Sequence, residues 1–217
     1  MKIDRDSYGS IALIYGISIA AAVLLICVVK NPLILWPCIA LILWFDIWQT
    51  AFFRVPRRNR KGSSSLVTSV ADGRVVIVDK VIEPEVLKRE CIQISVYMNF
   101  FDVHSNFWPM DGKVKSYEYH PGDHFYASHP KASVLNEHTC VLMCNKDGKV
   151  LLFKQIAGGF ARRIACHAEP GQVVSAGMQC GIIKFGSRID MFLPLDAKVN
   201  VKVGDLVRAS ETVLAEI

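Results

Sequence analysis

Gly186 and Ser187 interrupt the stretch "GIIKFGSRIDMFLP" (residues 181–194), which otherwise reads as one buried β-strand. Ile182, Ile183 and Phe185 precede the pair; Ile189, Met191, Phe192 and Leu193 follow it. On residue type alone, such a pair is a strand end or bulge, where glycine permits a tight bend and serine caps it. Three other sites carry groups suited to chemistry. His104, in "DVHSN", is the best candidate for proton transfer, although a histidine near a strand end is more often a hydrogen-bonded structural residue. Asp72, in "ADG", is an ordinary turn former. Arg162, Arg163 and Arg188 carry guanidinium groups whose fork suits phosphate or carboxylate, or else they are surface strand charges.

These residues are positioned by a strand-rich region that begins at Leu66. "RVVIVDKVI", "KVKSYEY", "CVLMC", "KVLLFKQIA", "QVV", "GIIKF", "DMFLPL" and "KVNVKV" are short, rich in Val, Ile and aromatics, and separated by Gly, Pro, Asp or Asn. "EPEVLKREC" and "HPKASVLNEH" are the only helix-like stretches there. "AEPGQVVSAGMQCGII" and "VKVGDLVRASETVLAEI" repeat one pattern of turn glycine, apolar pair, polar loop and apolar strand, with "GKVKSYEYHPGDHFYA" a looser third copy. The pattern resembles the hairpins of barrel-sandwich modules such as biotinyl and lipoyl carriers. The expected fold class is mainly β (α+β), a membrane helical hairpin followed by a strand-rich domain with such hairpins.

The hairpin is read from the N-terminal third. Residues 11–29 carry no charge, and about 19 apolar positions is the length a helix needs to cross a bilayer. "PLILWPCIALILWFDIW" (residues 32–48) is a second candidate span, weakened by Pro37 and Asp46. Residues 1–61 hold eight Lys/Arg against three Asp, whereas residues 62–217 hold seventeen charges of each sign. The body is therefore neutral, which argues against a nucleic-acid partner. "RVPRRNRK" (residues 54–61) reads as a cytoplasmic flank and a collar for anionic headgroups. "KGSSS" (residues 61–65) is a linker, dividing a membrane anchor, 1–61, from the strand-rich domain, 62–217. The seven scattered cysteines read as reduced core thiols, and without a CxxC spacing no metal is expected.

"FGSR" (residues 185–188) resembles the self-cleavage motif of the phosphatidylserine decarboxylases, in particular their short form. "VADG" (70–73), "FFDVHSNFWP" (100–109), "HPGDHF" (120–125), "NEH" (136–138) and "QIAGGFARRI" (155–164) match in the same order, so the resemblance spans about residues 66–217. It implies that the Ser187 hydroxyl attacks the Gly186 carbonyl, turning amide into ester. Elimination and hydrolysis then cut the chain between 186 and 187 and leave a pyruvoyl group, made from Ser187, as the cofactor. Glycine at 186 hinders that attack least. The pyruvoyl ketone condenses with the substrate amine and takes up the electrons released as carbon dioxide leaves.

By the same resemblance, Ser187, His104 and Asp72 are catalytic, and Arg162, Arg163 and Arg188 bind substrate. The longer bacterial enzymes carry "DxHxxH", whose second histidine falls here on Phe107. Either His104 serves both maturation and decarboxylation, or Asp72 acts without that histidine. The implied partners are phosphatidylserine in the membrane and the two cleavage fragments as a heterodimer, with homo-oligomers left open. The implied location is the inner membrane, with the catalytic domain on its cytoplasmic face. Two alternatives stand beside this reading: a pyruvoyl decarboxylase for another amine-bearing lipid or amino acid, and a non-enzymatic membrane adaptor with a lipoyl-like domain.

Overall fold

The computed structural model describes residues 2–59, 63–123, 125, 132–159, 163–184 and 187–217; Gly186 and Arg162 lie outside them. The chain divides into two compact units, residues 1–56 and 57–217.

The first unit is a pair of helices, α1 (Tyr8–Val28) and α2 (Pro32–Phe52), both long and apolar enough to cross a membrane. Their junction is short because Asn31 caps α2, its side chain accepting the Leu33 N–H at 3.0 Å, and Pro32 sits at the first turn, where its missing N–H costs nothing. Asp46 does not break the second helix. Its Oδ1 accepts the Ser18 hydroxyl of α1 at 2.8 Å, and Tyr15 and Thr50 share a second hydrogen bond at 2.8 Å, so polar groups on one helix are satisfied by the other. Strands β1 (Lys2–Ile3) and β2 (Arg54–Val55) pair antiparallel, bringing the two ends of the unit together.

The second unit is built from strands β3 (Leu66–Thr68), β4 (Gly73–Glu83), β5 (Arg89–Met98), β6 (Ser105–Phe107), β7 (Gly112–His120), β8 (His138–Cys144), β9 (Val150–Ala157), β10 (Ile164–Cys166), β11 (Val173–Val174), β12 (Gln179–Ile183), β13 (Ser187–Leu193), β14 (Lys198–Val199), β15 (Leu206–Val207) and β16 (Val213–Glu216). An eight-stranded antiparallel sheet has the order β11-β7-β8-β9-β13-β5-β4-β15. Two three-stranded sheets, β10-β12-β6 and β14-β16-β3, complete the unit. The strand-rich domain behind a helical pair is as expected.

Of the two readings of Gly186-Ser187, strand end or bulge, Ser187 fits the first: it opens β13 in the large sheet, whereas β12, ending at Ile183, belongs to a small one, so the chain changes sheets between those strands. "EPEVLKREC" is not helical, against the sequence reading. Residues 84–87 form a turn because the Glu83 carboxylate accepts the N–H groups of Glu85, Val86 and Leu87 at 2.7–3.1 Å, and Arg89 already starts β5. In "HPKASVLNEH" the described helix is the short turn α3 (Ala132–Leu135).

Strand register sorts the side chains. Paired residues in a sheet share a face, and successive residues alternate. Ser187, Met98 and Ala157 form one row, with Ile189, Met191, Phe153, Val141 and Val96 on the same face, and this is the face packed into the main core. Arg188, Tyr97, Arg74, Ile156, His138 and His120 form the next row, on the opposite face. That second face carries a smaller cluster, Cys91, Cys140, Leu152 and Phe192, covered by Val86 and Leu87 of the 84–87 turn. Strand β13 is buried on both faces over its whole length.

Candidate active site

Ser187 opens β13 and is fully buried between β5 and β9. Its hydroxyl donates to Met98 Sδ at 3.8 Å, a weak acceptor, so it is held in place without being tied to a strong partner. Behind it runs a polar chain. The Asn106 amide also reaches Met98 Sδ at 4.0 Å, Gln155 donates to Asn106 Oδ1 at 2.8 Å, and Thr139 donates to Gln155 Oε1 at 3.0 Å. On the β9 side, the Asn136 amide donates to the Ala157 carbonyl and to the Phe125 carbonyl, both at 2.7 Å. Thus "NEH", "NFW" and "QIAGG" meet around the Ser187 row, and Asn106, Asn136, Gln155 and Thr139 are site residues that the sequence reading did not single out.

His104 is fully buried at the end of the loop between β5 and β6. That loop is shaped by two side-chain turns: Asp102 accepts the Asn99 N–H at 2.9 Å and Asn99 accepts the Phe101 N–H at 2.8 Å. His104 Nδ1 lies 3.0 Å from the Asp102 carbonyl oxygen. A carbonyl only accepts, so Nδ1 carries the proton and Nε2 is the basic nitrogen. The His104 carbonyl accepts the Ile183 N–H at 3.3 Å, fixing the histidine beside the strand that leads into Gly186-Ser187.

Asp72 stands just before β4. Because Arg74 and Arg188 both pair with Tyr97, Asp72 lies at the same end of the sheet as Ser187, two strands away or about 10 Å. Its Oδ1 accepts the Ala209 N–H at 2.9 Å and its Oδ2 takes an ion pair from Arg58. Gly73 beside it admits no side chain, since a Cβ there would fall 2.2 Å from the Tyr97 carbonyl oxygen.

Of the three arginines, Arg163 is exposed, and its carbonyl accepts the Lys184 N–H at 3.2 Å next to the same strand end. Arg188 is buried on the face opposite Ser187, where it holds Asp190 through Nε at 2.8 Å and a second nitrogen at 3.0 Å. Ser133 joins that pair, donating to Asp190 Oδ2 at 2.7 Å. Engaging an anion there requires Arg188 to share its fork with Asp190.

Farther along that face is a second charged group. Lys154, nearly fully buried, bonds Glu83 Oε1 at 2.7 Å and Glu85 Oε2 at 2.5 Å. Burial works against its charge, but the two carboxylates outweigh burial and hold the ammonium above its ordinary pKa. Glu83 and Glu85 are likewise held below the usual carboxylate range, Lys154 outweighing desolvation. The carboxylates contribute stability above their unfolded pKa of about 4.3, and it is lost as pH falls through their lower folded values. Lys154 contributes below about 10.4, and its share is lost as pH rises through the raised folded value. Lys154→Met is therefore expected to cost about 3–5 kcal/mol near neutral pH by leaving Glu83 buried without its cation. Unfolding of both proteins in detergent checks it: the gap should shrink as pH falls toward and through the carboxylate range, because Glu83 without its cation protonates more readily than in the unaltered protein. A gap independent of pH would exclude the ionic origin.

Cys91, Cys140 and Cys180 are buried thiols, whereas Cys38, Cys144 and Cys166 are half-buried and Cys27 is exposed. Burial pushes Cys140 up to about 12 and Cys166 to about 11 and raises Cys180 as well, so none of the three ionises unless a cation displaces its proton.

Comparison with known proteins adds a family assignment to this geometry. The family model described as phosphatidylserine decarboxylase matches residues 45–215. The chain is 48% identical over 165 residues to a phosphatidylserine decarboxylase proenzyme of Nitrosomonas eutropha, covering 76% of each chain. It is 44% identical over 180 residues to that of Cupriavidus taiwanensis (82% of this chain, 83% of the relative) and 43% identical over 171 residues to that of Amoebophilus asiaticus (79% and 76%).

Proposed function

Since the chain belongs to the phosphatidylserine decarboxylase family, we propose that it converts phosphatidylserine to phosphatidylethanolamine after cutting its own backbone between Gly186 and Ser187. The observation that carries this reading is the placement of Ser187: first residue of a doubly buried strand, at a change of sheet, with its hydroxyl on a weak acceptor.

The cut balances without an outside oxidant. The Ser187 Oγ attacks the Gly186 carbonyl and the amide becomes an ester. Loss of the Ser187 α-proton expels the Gly186 carboxylate. Water then replaces the remaining nitrogen, which departs as ammonia. Asp72 and His104 are the groups assigned to the proton movements, with His104 Nε2 as the basic atom. The pyruvoyl group made from Ser187 supplies an electron sink when the substrate carboxylate is lost. The surroundings suit such a group: Met98 and Ala157 flank it and exclude water, while Asn106 and Asn136 bring the amide dipoles nearest to its row. Arg163, and Arg162 beside it in sequence, are proposed to meet the lipid phosphate or carboxylate, with Arg188 sharing its fork with Asp190.

The two products stay together as a heterodimer on this reading. The fragment 187–217 contributes β13 between β9 and β5, β15 against β4, and β14 and β16 to the sheet of β3. Burying Ile189, Met191 and Leu193 alone is worth about 1.5–3 kcal/mol each. Residues 1–61 are proposed as the anchor and 62–217 as the catalytic domain, on the cytoplasmic face of the inner membrane. The two apolar helices and the basic flank hold a neutral domain against an anionic bilayer that contains its substrate.

Denaturing electrophoresis with intact-mass measurement tests the proposal. Fragments 1–186 and 187–217 are expected, the smaller blocked at its N-terminus by a pyruvoyl group. A well-folded preparation that stays whole would overturn it.

A further inference from the structure

On the sheet face opposite Ser187, side chains from three separate segments converge in a way the decarboxylation does not use. His138 and Cys140 alternate along β8 onto one face, and His120 of β7 pairs directly with His138. Glu85, from the turn between β4 and β5, closes over them, and one ligand-type atom from each of the four lies within 4.8 Å of all the others. We propose that Glu85, His120, His138 and Cys140 form a binding site for a borderline divalent ion of the zinc type, with two imidazoles, one thiolate and one carboxylate as ligands.

Three features support that assignment. The donor set matches the nitrogen, sulfur and oxygen ligands such ions prefer in four-coordinate sites. One donor pair is already held together: His138 Nδ1 donates to the Asn136 carbonyl at 2.7 Å, and its Nε2 lies 3.1 Å from Glu85 Oε2. A proton bridges that nitrogen and oxygen, and a bound ion takes the place of that proton. Cys140 Sγ is 3.5 Å from the same Glu85 oxygen; the imidazoles of His120 and His138 stack parallel, 5° apart with centroids 4.7 Å apart, so the partly exposed His120 ring turns out of the stack to put its nitrogen on the ion.

Lys154 is the competitor for that oxygen, and it does not depend on it. Its bond to Glu83 remains when an ion takes Glu85, so neither charge is stranded. Access exists as well, since the His138 and Cys140 side of the site is buried whereas the side chains of Glu85 and His120 are partly exposed, 21% and 35%. An ion there would pin the 84–87 turn to β7 and β8, on the far side of β9 and β13 from the strands that turn connects. The site stands independently of the self-cleavage reading.

Cobalt(II) is the probe, because it reports both geometry and sulfur ligation. The full-length protein in detergent, stripped with chelator, is titrated with cobalt(II) and then with zinc(II). Intense visible bands of a four-coordinate ion are expected, together with a thiolate-to-cobalt charge-transfer band, both displaced by zinc. Cys140→Ser should lose the charge-transfer band, and His138→Ala should bind at least about tenfold more weakly. Circular dichroism and the fragment pattern confirm that each variant is folded. The proposal is overturned if the unaltered protein gives only the pale spectrum of hydrated cobalt, or if Cys140→Ser and the unaltered protein give the same spectrum and affinity.

Discussion

Ser187→Ala is expected to remain a single chain of residues 1–217 and to release no carbon dioxide from phosphatidylserine, at any incubation time. The substitution removes one oxygen, and with it both the nucleophile that opens the Gly186 carbonyl and the leaving atom whose departure with the Gly186 carboxylate makes the double bond that becomes the pyruvoyl group. The fold should survive, because that oxygen bonds only Met98 Sδ at 3.8 Å among the described residues. Losing so weak a hydrogen bond costs about 1 kcal/mol or less. β13 keeps its ladders to β5 and β9 and its apolar side chains. Inactivity can therefore be separated from unfolding: the variant should match the unaltered protein in thermal unfolding and differ in two readouts, fragment formation and turnover. A full-length Ser187→Ala chain that decarboxylated at the normal rate would sink the pyruvoyl mechanism outright.

How much of this was legible beforehand depends on whether a feature is local. Local periodicity identified β4, β7, β8 and β9 and both apolar helices, because alternation and length are written into consecutive residues. The strand β5 was hidden by "EPEVLKREC", whose charged residues look helical. What decides otherwise is tertiary: the Glu83 carboxylate caps a turn and is itself held by Lys154, which lies far away in sequence. The change of sheet at Gly186-Ser187 was also invisible, since a strand ending in one sheet and another starting in the next read as a single apolar run. Motif matching nominated Ser187, His104 and Asp72, but motif order carries no register. Alternation along β13 puts Arg188 on the face opposite Ser187 and beside Asp190, but only pairing shows that this face is buried and that Ser133 joins the pair. The Glu85, His120, His138 and Cys140 cluster has no familiar spacing signature, because only His138 and Cys140 are close in sequence, and strand pairing and a turn bring His120 and Glu85 to them.

His104→Gln is expected to lower decarboxylation by molecules that have already been cut by about 10²–10⁴-fold, the range of a lost proton-transfer group. Glutamine preserves much of the shape and can still donate to the Asp102 carbonyl, so the loop between β5 and β6 should hold, but it has no basic nitrogen. The informative part is whether the variant cuts itself. Phe107 occupies the position of the second histidine of the longer enzymes, and it is buried with its N–H donated to the Val70 carbonyl at 2.9 Å, a purely structural place. On the proposed reading, maturation then falls to His104 or to Asp72. The two lie at the same end of the sheet, but Asp72 is held by Arg58 and the Ala209 N–H. If His104→Gln matures at the normal rate yet turns over slowly, His104 belongs to decarboxylation and Asp72 to the cut. Asp72→Asn should then slow fragment formation while leaving cut molecules fully active. If His104→Gln stays whole, His104 serves the cut, and Asp72→Asn should affect maturation only through the placement of its neighbours. Time courses of fragment formation and of carbon dioxide release on the two variants separate these outcomes. A His104→Gln protein that matures and turns over normally would remove His104 from the chemistry altogether.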